Sequence, residues 1–313
     1  MSRLSILFLG MEGIFSRAPL AALLHAGHDI RAVVVPRPRA LPGRSTGPRL
    51  LVPPRQHSLT LQLTGQPTEA TIVGMAWDAR IPVLEIQRPW GGDTLAALTE
   101  YAPDVLCVAC FPYLLPPKVL AIPRHGGFNV HPSLLPTYRG PSPLFWVYRD
   151  GLEHAGVTVH QMDAGADTGA IAAQQPVEIE DGTPYANAER ILSRAGGQLL
   201  ASILDDVASE QLQLQPQPLA SASMAPAPTD ADFHVPANWP ARRAFNFIHG
   251  LADWRRPFTI VTDDGPLVVT DAVGFDPTAA SMPPIVRDGE RVCVRFSPGV
   301  LYIDYSAVED YPR

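Results

Sequence analysis

The chain of 313 residues is longer than a usual single domain, which favours one large domain followed by a smaller one. Its formal net charge of −7 argues against a protein that coats an extended nucleic acid. Three cysteines are too few for a disulfide framework, and no apolar stretch reaches the length of a membrane span, so we expect a cytoplasmic protein with no membrane partner.

The first two thirds of the chain alternate between apolar strands and helical patterns. Continuous apolar runs bounded by turn residues predict strands, and apolar residues at helical spacing predict helices. The predicted strands cover residues 4–9, 30–35, 105–109, 127–130, 157–162 and 171–177, and the predicted helices cover 16–26 and 184–207. Buried strands that alternate with helices are typical of a mainly parallel sheet with helices on both faces, so the predicted fold class is α/β.

A change in composition marks the end of this part of the chain. Residues 211–229 hold no charged side chain and are rich in Gln, Pro, Ala and Ser, which is typical of a semi-extended linker. A short helix over 242–249 follows, then a hairpin turn at 263–265 and strands over 258–262, 267–270, 291–296 and 301–305. We therefore predict a large domain over 1–208, a linker over 209–231 and a small β-rich domain over 232–313.

A Pro-rich loop after the second predicted strand holds five arginines: Arg37, Arg39, Arg44, Arg49 and Arg55. The cluster fits either a solvated loop or a grip on an anionic acceptor molecule, and both interpretations stay open. In the same loop, residues 43–47 match a G-x-S-x-G nucleophile pattern but lack the strand and helix that this motif needs. No pair of histidines has metal-ligand spacing on a predicted helix, so we expect no metal.

Three polar side chains follow predicted strands at one edge of the sheet. Asn129 and His131 are two residues apart at the C-terminal end of a predicted parallel strand, so their side chains share a face. That edge is where open α/β sheets bind ligands. Asp167 lies in a Gly-rich loop, 162–169, that follows another predicted strand. We therefore expect Asn129, His131 and Asp167 to meet at one rim.

An amide, an imidazole and a carboxylate in this arrangement suit acyl transfer to an amine. The Asn129 amide and a protonated His131 can stabilise a tetrahedral oxyanion, and His131 can also relay the proton from the attacking amine. Asp167 then orients the imidazole and favours its charged form. Each residue alone also fits a structural role, with Asn129 as a cap, His131 packed on Pro132 and Asp167 as a turn residue. The three together favour the catalytic interpretation.

The motif around these residues resembles the formyltransferases that use 10-formyltetrahydrofolate, a family that includes methionyl-tRNA formyltransferase and relatives acting on sugars or amino acids. The resemblance is carried by Asn129-x-His131-Pro-Ser-Leu-Leu-Pro136-x-x-Arg139-Gly140 and by the later Asp167-Thr-Gly. It covers the whole chain and implies a Rossmann-like, mainly parallel formyltransferase domain with a small, open β-barrel-like C-terminal domain. It also implies 10-formyltetrahydrofolate as co-substrate, with no metal.

The resemblance further implies roles for individual residues. Asn129, His131 and Asp167 correspond to the family's catalytic residues. The implied folate pocket is formed by three loops and includes Phe111, Tyr113, Leu115, Ser133, Leu134, Leu135, Pro136 and Asp163. The implied acceptor side is formed by the first loop and the end of the motif, with Met11, Glu12, Gly13 and Arg139.

Two segments beside the expected rim depart from the members that act on tRNA. The first loop reads Gly-Met-Glu-Gly where those enzymes typically carry Gly-Thr-Pro, and Pro-Ser-Pro-Leu-Phe-Trp follows Gly140 in place of Ala-Ala-Pro-Ile. The rings of Phe145 and Trp146 either close a pocket around a small acceptor or start a core helix. We therefore predict formyl transfer to a small amine of the sugar-nucleotide or amino-acid type, with methionyl-tRNA as the second choice.

Two other functions stay open at this point. The same three side chains can direct water at the formyl carbon, which would make the protein a formyltetrahydrofolate deformylase. A folate-binding or interaction module without turnover is the non-enzymatic alternative.

Overall fold

A computed structural model describes residues 3–37, 47–53, 71–88, 90–278 and 282–309. Most of the G-x-S-x-G pattern lies outside the described residues, as do Arg39, Arg44 and Arg55 of the arginine-rich loop. Among the helices of the described part, none is long and apolar enough to cross a membrane.

An eight-stranded sheet has the strand order β3-β4-β2-β1-β5-β6-β7-β8. Its strands are β1 (Ser5–Gly10), β2 (Asp29–Pro36), β3 (Arg49–Leu51), β4 (Val83–Ile86), β5 (Val105–Ala109), β6 (Gly127–His131), β7 (Gly156–Gln161) and β8 (Ile171–Pro176). The central pairs from β4 to β6 are parallel, whereas β3 runs antiparallel to β4 and β7 runs antiparallel to β6. The mainly parallel α/β fold predicted from the sequence is confirmed.

In the described ranges, the strands are accompanied by the α-helices α1 (Ile14–His25), α2 (Ile72–Asp78), α3 (Gly92–Glu100), α4 (Pro117–Leu120), α5 (Pro143–Asp150), α6 (Tyr185–Ala208) and α7 (Ala241–Gly250). One core cluster joins buried side chains of the central strands to Leu98 of α3 and Val119 of α4. Two consecutive glycines let α6 approach the sheet and α1 closely. A Cβ at Gly196 would overlap Val130 of β6, and a Cβ at Gly197 would lie 2.8 Å from the carbonyl oxygen of Ala18.

The C-terminal part holds two four-stranded sheets, with the orders β16-β11-β10-β9 and β12-β15-β14-β13. Their strands are β9 (His234–Pro236), β10 (Phe258–Thr262), β11 (Gly265–Val269), β12 (Gly274–Asp276), β13 (Ile285–Asp288), β14 (Arg291–Arg295), β15 (Val300–Asp304) and β16 (Val308–Glu309). The β10–β11 hairpin closes where Thr262 faces Gly265, as the Asp-Asp-Gly turn predicts. The prediction of a small β-rich C-terminal part is confirmed.

Contacts along the chain group its residues into two compact units. The first unit comprises Met1–Pro136, Val157–Gln175 and Arg190–Ala222, and the second comprises Thr137–Gly156, Pro176–Glu189 and Ser223–Arg313. These bounds differ from the predicted division at 208 and 231. The segment Thr137–Gly156 belongs to the second unit because its helix α5 packs on α7. The segment Pro176–Glu189 joins it there, because the Tyr148 hydroxyl donates to the carbonyl of Thr183. The division 1–208, 209–231 and 232–313 stays a prediction about independently folding segments.

Candidate active site

Asn129 and His131 lie on β6, with their side chains on the same face. The strand is paired on both sides, with β5 in parallel and β7 in antiparallel register, so that Asn129 faces His160 and His131 faces Thr158. His131 is buried, whereas Asn129 is half-buried. The carbonyl of His131 accepts a hydrogen bond of 2.9 Å from the N–H of Ser133, which turns the chain away from the sheet directly after the strand.

Four polar side chains converge at this strand end. Asn129 Nδ2 lies 3.1 Å from His160 Nε2 and 3.3 Å from Asp167 Oδ1. His160 Nε2 lies 3.4 Å from Asp167 Oδ1, and His131 Nδ1 lies 3.7 Å from Asp167 Oδ2. The structure therefore brings together all three residues that the sequence predicts as catalytic, and it adds the buried imidazole of His160.

The neighbours of His160 define its tautomer. Its Nδ1 lies 3.0 Å from the carbonyl oxygen of Gln161, and a carbonyl only accepts, so Nδ1 carries the hydrogen of that bond. An amide nitrogen only donates, so Nε2 accepts from the Asn129 amide. The two amide hydrogens of Asn129 are thus directed towards His160 and Asp167.

Asp167 is presented by a tight loop between β7 and β8. Its backbone φ is +54°, in the left-handed region that Asp adopts more readily than most residues. Inside the loop, the carboxylate of Asp163 accepts from the N–H of Gly165 and from the hydroxyl of Thr168, at 3.0 and 2.6 Å. A Cβ at Gly169 would overlap the carbonyl oxygen of Gln161, so the loop lies directly against β7. The predicted folate residue Asp163 thus braces the loop that carries Asp167.

A second loop follows β6 and holds four of the predicted folate residues. Ser133, Leu135 and Pro136 are buried and Leu134 is half-buried, and the Leu135–Pro136 peptide bond is cis, as the sequence predicts. Thr158 of β7 binds this loop at two points, because its hydroxyl donates to Ser133 O and accepts from Leu135 N.

Three aromatic rings cluster where β4 and β5 end, at the same edge of the sheet as the end of the parallel strand β6. Phe111 and Tyr113 have ring centroids 5.5 Å apart, and Trp90 adds a third ring 6.5 and 6.3 Å from them. The guanidinium of Arg88 lies 5.3 Å from the Tyr113 centroid. The remaining predicted wall residue, Leu115, is buried in the core cluster below. Trp90 was not among the predicted residues.

The residues predicted to contact the acceptor differ in burial and belong to different units. Met11, Glu12 and Gly13 form an exposed turn between β1 and α1, and the Ser16 hydroxyl ties this turn to β5 by bonds to Met11 N and Ala109 O. Arg139 belongs to the second unit, where it is buried and its main chain pairs with Ser223 and Ala225.

The two aromatic residues proposed to close an acceptor pocket also lie in the second unit. The Phe145 ring is fully buried against Phe233, Phe247 and Trp254, so the alternative interpretation, in which it belongs to a core helix, is correct. Trp146 is half-buried, and its Nε1 donates to the carbonyl of Pro226.

Sequence reasoning missed His160, although a signal for it was present. Thr158 and His160 alternate on one predicted strand, so their side chains share a face. The strand direction was the missing information, because only an antiparallel β7 places His160 opposite Asn129. Within the described ranges, no group of three or more His, Cys, Asp or Glu side chains is arranged to hold a metal ion.

Comparison with known proteins gives consistent results over most of the chain. A family model described as formyl transferase matches residues 84–204. Methionyl-tRNA formyltransferase of Lachnospira eligens is 30% identical over 92% of this chain and 85% of its own length. The Staphylococcus aureus (strain JH1) enzyme of the same name is 30% identical over 93% of this chain and 90% of its own length.

A solved structure shares the fold at lower identity. It is the N-formyltransferase of Helicobacter canadensis in complex with folinic acid and dTDP-3-aminofucose, which matches with a TM-score of 0.65 at 14% identity. The match covers 97% of this chain and 99% of that chain.

Proposed function

Because the chain belongs to the formyltransferase family, we propose that it transfers the formyl group of 10-formyltetrahydrofolate to the primary amine of a small acceptor. The observation that carries the proposal is the convergence of Asn129, His131 and Asp167 at the end of β6. The Helicobacter canadensis relative supports this assignment, because its complex contains a folate together with an amino-sugar nucleotide.

In this reaction the amine nitrogen bonds to the formyl carbon, and the bond between that carbon and N10 of the folate then breaks. Negative charge develops on the formyl oxygen in between, and an N–H donor aimed at that oxygen stabilises it. We assign this donor to the amide of Asn129. His131 takes up the proton that the amine releases and returns it to N10, and its charged form adds to the stabilisation of the oxyanion. Asp167 orients the imidazole.

The wall after β5 fits the folate. Within the described part of the chain, Trp90 Nε1 and Gln87 Oε1 are buried without a hydrogen-bond partner. Buried polar atoms of this kind are costly unless a ligand or water satisfies them. A folate offers flat rings for the faces of Phe111 and Tyr113, together with N–H and carbonyl groups for Trp90 and Gln87. We assign this wall and the 133–136 loop to the co-substrate.

Methionyl-tRNA is the second candidate acceptor, because relatives that share 30% identity over most of the chain carry that activity in their names. The first loop favours a small amine instead. Its Met-Glu-Gly sequence replaces the residues usual in the tRNA enzymes, and it adds an exposed carboxylate at Glu12.

The test measures tetrahydrofolate release from 10-formyltetrahydrofolate in the presence of amino-sugar nucleotides, amino acids or methionyl-tRNA. We expect turnover with a small amine and a loss of about 100-fold in kcat for Asn129→Ala. His154→Ala, in the exposed turn before β7, is the control and should keep the wild-type rate.

Three outcomes would redirect the assignment. Turnover with methionyl-tRNA alone would identify the second candidate. Formate released at the rate of turnover without any amine would indicate a deformylase. Folate binding without turnover would indicate a binding module.

A further inference from the structure

Gln217 lies in the segment predicted as a linker, yet its side chain contacts the loop that carries Asp167. Its Nε2 lies 2.9 Å from the carbonyl oxygen of Asp167 and 2.6 Å from that of Gly169. A side-chain amide nitrogen has two hydrogens and carbonyl oxygens only accept, so Gln217 donates to both. These two bonds connect positions about fifty residues apart in the sequence.

The backbone near Gln217 is itself fixed to the sheet. Gln215 and Ile171 exchange two main-chain hydrogen bonds, of 2.8 and 2.9 Å, and Ile171 is the first residue of β8. The Gln217 side chain therefore extends from an anchored position, two residues beyond this bridge. Gln217 is half-buried, whereas Gln213 and Gln215 of the same segment are exposed.

The Asp167 backbone is the part of the loop that most needs support. A non-glycine residue in the left-handed region persists where the surrounding structure holds it there. Gln217 donates to the carbonyl groups on both sides of Thr168, so its amide bridges the turn that sets the direction of the Asp167 side chain. Rotation of this backbone would move the carboxylate away from Asn129 and the two imidazoles.

We propose that Gln217 is a positioning residue for formyl transfer, which holds Asp167 in the geometry that the reaction needs. The inference rests on the proposed function, because it gives Gln217 a role only through Asp167. The segment after α6 is then part of the catalytic apparatus, although none of its side chains needs to touch the substrate.

The first experiment replaces the donor without changing the length of the side chain. Gln217→Met should lower kcat for tetrahydrofolate release by about 10- to 100-fold, because small displacements of catalytic groups have effects of this size. The KM values for the formyl donor and the amine should not change. Gln213→Met, an exposed position on the same segment, is the matched control and should keep the wild-type kcat.

A double-mutant cycle separates positioning from a general structural role. In the Asp167→Ala background, Gln217→Met should cause no further loss, because residues that act through one another are not additive. An additive loss, or a Gln217→Met variant with wild-type kcat, would overturn the inference. Gln217→Lys keeps donors within reach of the two carbonyls and should restore most of the activity. If Gln217→Met does not fold, a folded Gln217→Lys variant without activity would overturn the inference.

The two proposals fail in different ways. A wild-type chain that releases no tetrahydrofolate with any amine contradicts the proposed function. Wild-type turnover that is insensitive to Gln217 contradicts only the positioning role.

Discussion

At the scale of single residues, the amide of Asn129 is oriented by neighbouring protein groups. His160 accepts from its nitrogen, and the imidazole is in turn held by the carbonyl of Gln161. The contact from Asn129 to Asp167, at 3.3 Å, is slightly longer than a usual N–H···O bond. A formyl oxygen can therefore accept the amide hydrogen that faces Asp167, because only a weak hydrogen bond is given up.

Removal of the His160 ring tests this orientation. His160→Ala leaves the Asn129 amide without its acceptor, and we expect kcat for formyl transfer to fall about tenfold, the rate equivalent of one neutral hydrogen bond. The loss should be smaller than for Asn129→Ala. Steady-state kinetics on both variants measure it, with His154→Ala as the control, and a His160→Ala variant as fast as the wild type would contradict the orienting role.

Asp104 at the start of β5 supports the edge of the sheet opposite the site. The Ser5 N–H lowers the pKa of this carboxyl group, and the Ser5 hydroxyl and the charges of His125 and Arg124 act in the same direction against the effect of burial. A carboxyl group whose pKa is lowered in the folded state stabilises the fold above its unfolded pKa of about 4. That contribution is lost as the pH falls through the folded-state pKa.

We therefore expect Asp104→Asn to lower the free energy of unfolding by about 1 kcal/mol at pH 7. This is about the stability lost when a hydrogen bond to a charged group becomes one to a neutral group. The difference from the wild type should shrink as the pH falls below about 4. Urea denaturation at pH 7 and at pH 3 measures both values. Asp206→Asn, at an exposed position of α6, should leave stability unchanged, and a difference for Asp104→Asn that grows towards acid pH would contradict the argument.

At the scale of elements, two glycines allow α6 to pack closely against its neighbours. Gly196 and Gly197 are both buried, and they cost the helix intrinsic stability relative to alanine. The close approach to β6 and α1 offsets this cost, because any Cβ at these positions meets a neighbouring strand or helix.

Gly197→Ala should therefore destabilise the protein by about 1–3 kcal/mol, as overpacking does, because the atoms in its way belong to the backbone of Ala18 and Pro19. Gly92 in α3 is the matched control, because a Cβ there meets nothing within 4 Å. Gly92→Ala should be neutral or slightly stabilising. Thermal unfolding measures both variants, and a stabilised Gly197→Ala would show that helix propensity outweighs packing at this position.

The elements that the sequence predicted correctly are those with a strong apolar pattern. The strand over 105–109 and the strand over 258–262 have the predicted bounds, and the long helix begins and ends within one residue of its prediction. Short strands such as β3 and β12 were missed, because three residues carry no readable periodicity. The antiparallel direction of β7 was also missed, because a burial pattern is the same for both strand directions.

At the scale of the whole molecule, charge bears on the choice of acceptor. Arg37 of the arginine-rich loop pairs with Glu85 at 3.0 Å, and both side chains are largely buried. The Arg37 guanidinium also donates to the Gly47 carbonyl. This arginine therefore links the end of β2 to Glu85 of β4 and to Gly47, while Arg49 on β3 is exposed.

Formyl transfer to a small amine should depend only weakly on salt. Binding of a nucleic acid through six to ten phosphates weakens by about 10³- to 10⁵-fold between roughly 50 and 200 mM salt, whereas a small acceptor makes few such contacts. Measuring kcat/KM at both salt concentrations tests the expectation. Efficient formylation of methionyl-tRNA that falls steeply with salt, and that is lost on neutralising Arg39 and Arg44, would contradict it.

The site was predictable to the extent that it is local in sequence. Asn129 and His131 follow from the two-residue period of one strand. Asp167 does join them, but not because its strand ends at the same edge, since β7 is antiparallel to β6 and the loop after it begins beside Phe128. Contacts between distant segments were not predictable in this way. Gln217 reaches the Asp167 loop from a stretch whose composition predicts a linker, and composition does not indicate where such a stretch docks.

The interleaved order of the two units has a consequence for synthesis on the ribosome. The chain emerges from its N-terminus, so β1 to β8 are available before Gln217 and long before α7. Until α7 is translated, Phe145 lacks the partners Phe247 and Trp254 that later bury it. A chain whose synthesis is halted between α6 and α7 therefore leaves the Phe145 ring without these two neighbours, so the aromatic face of α5 is more accessible there than in the folded protein.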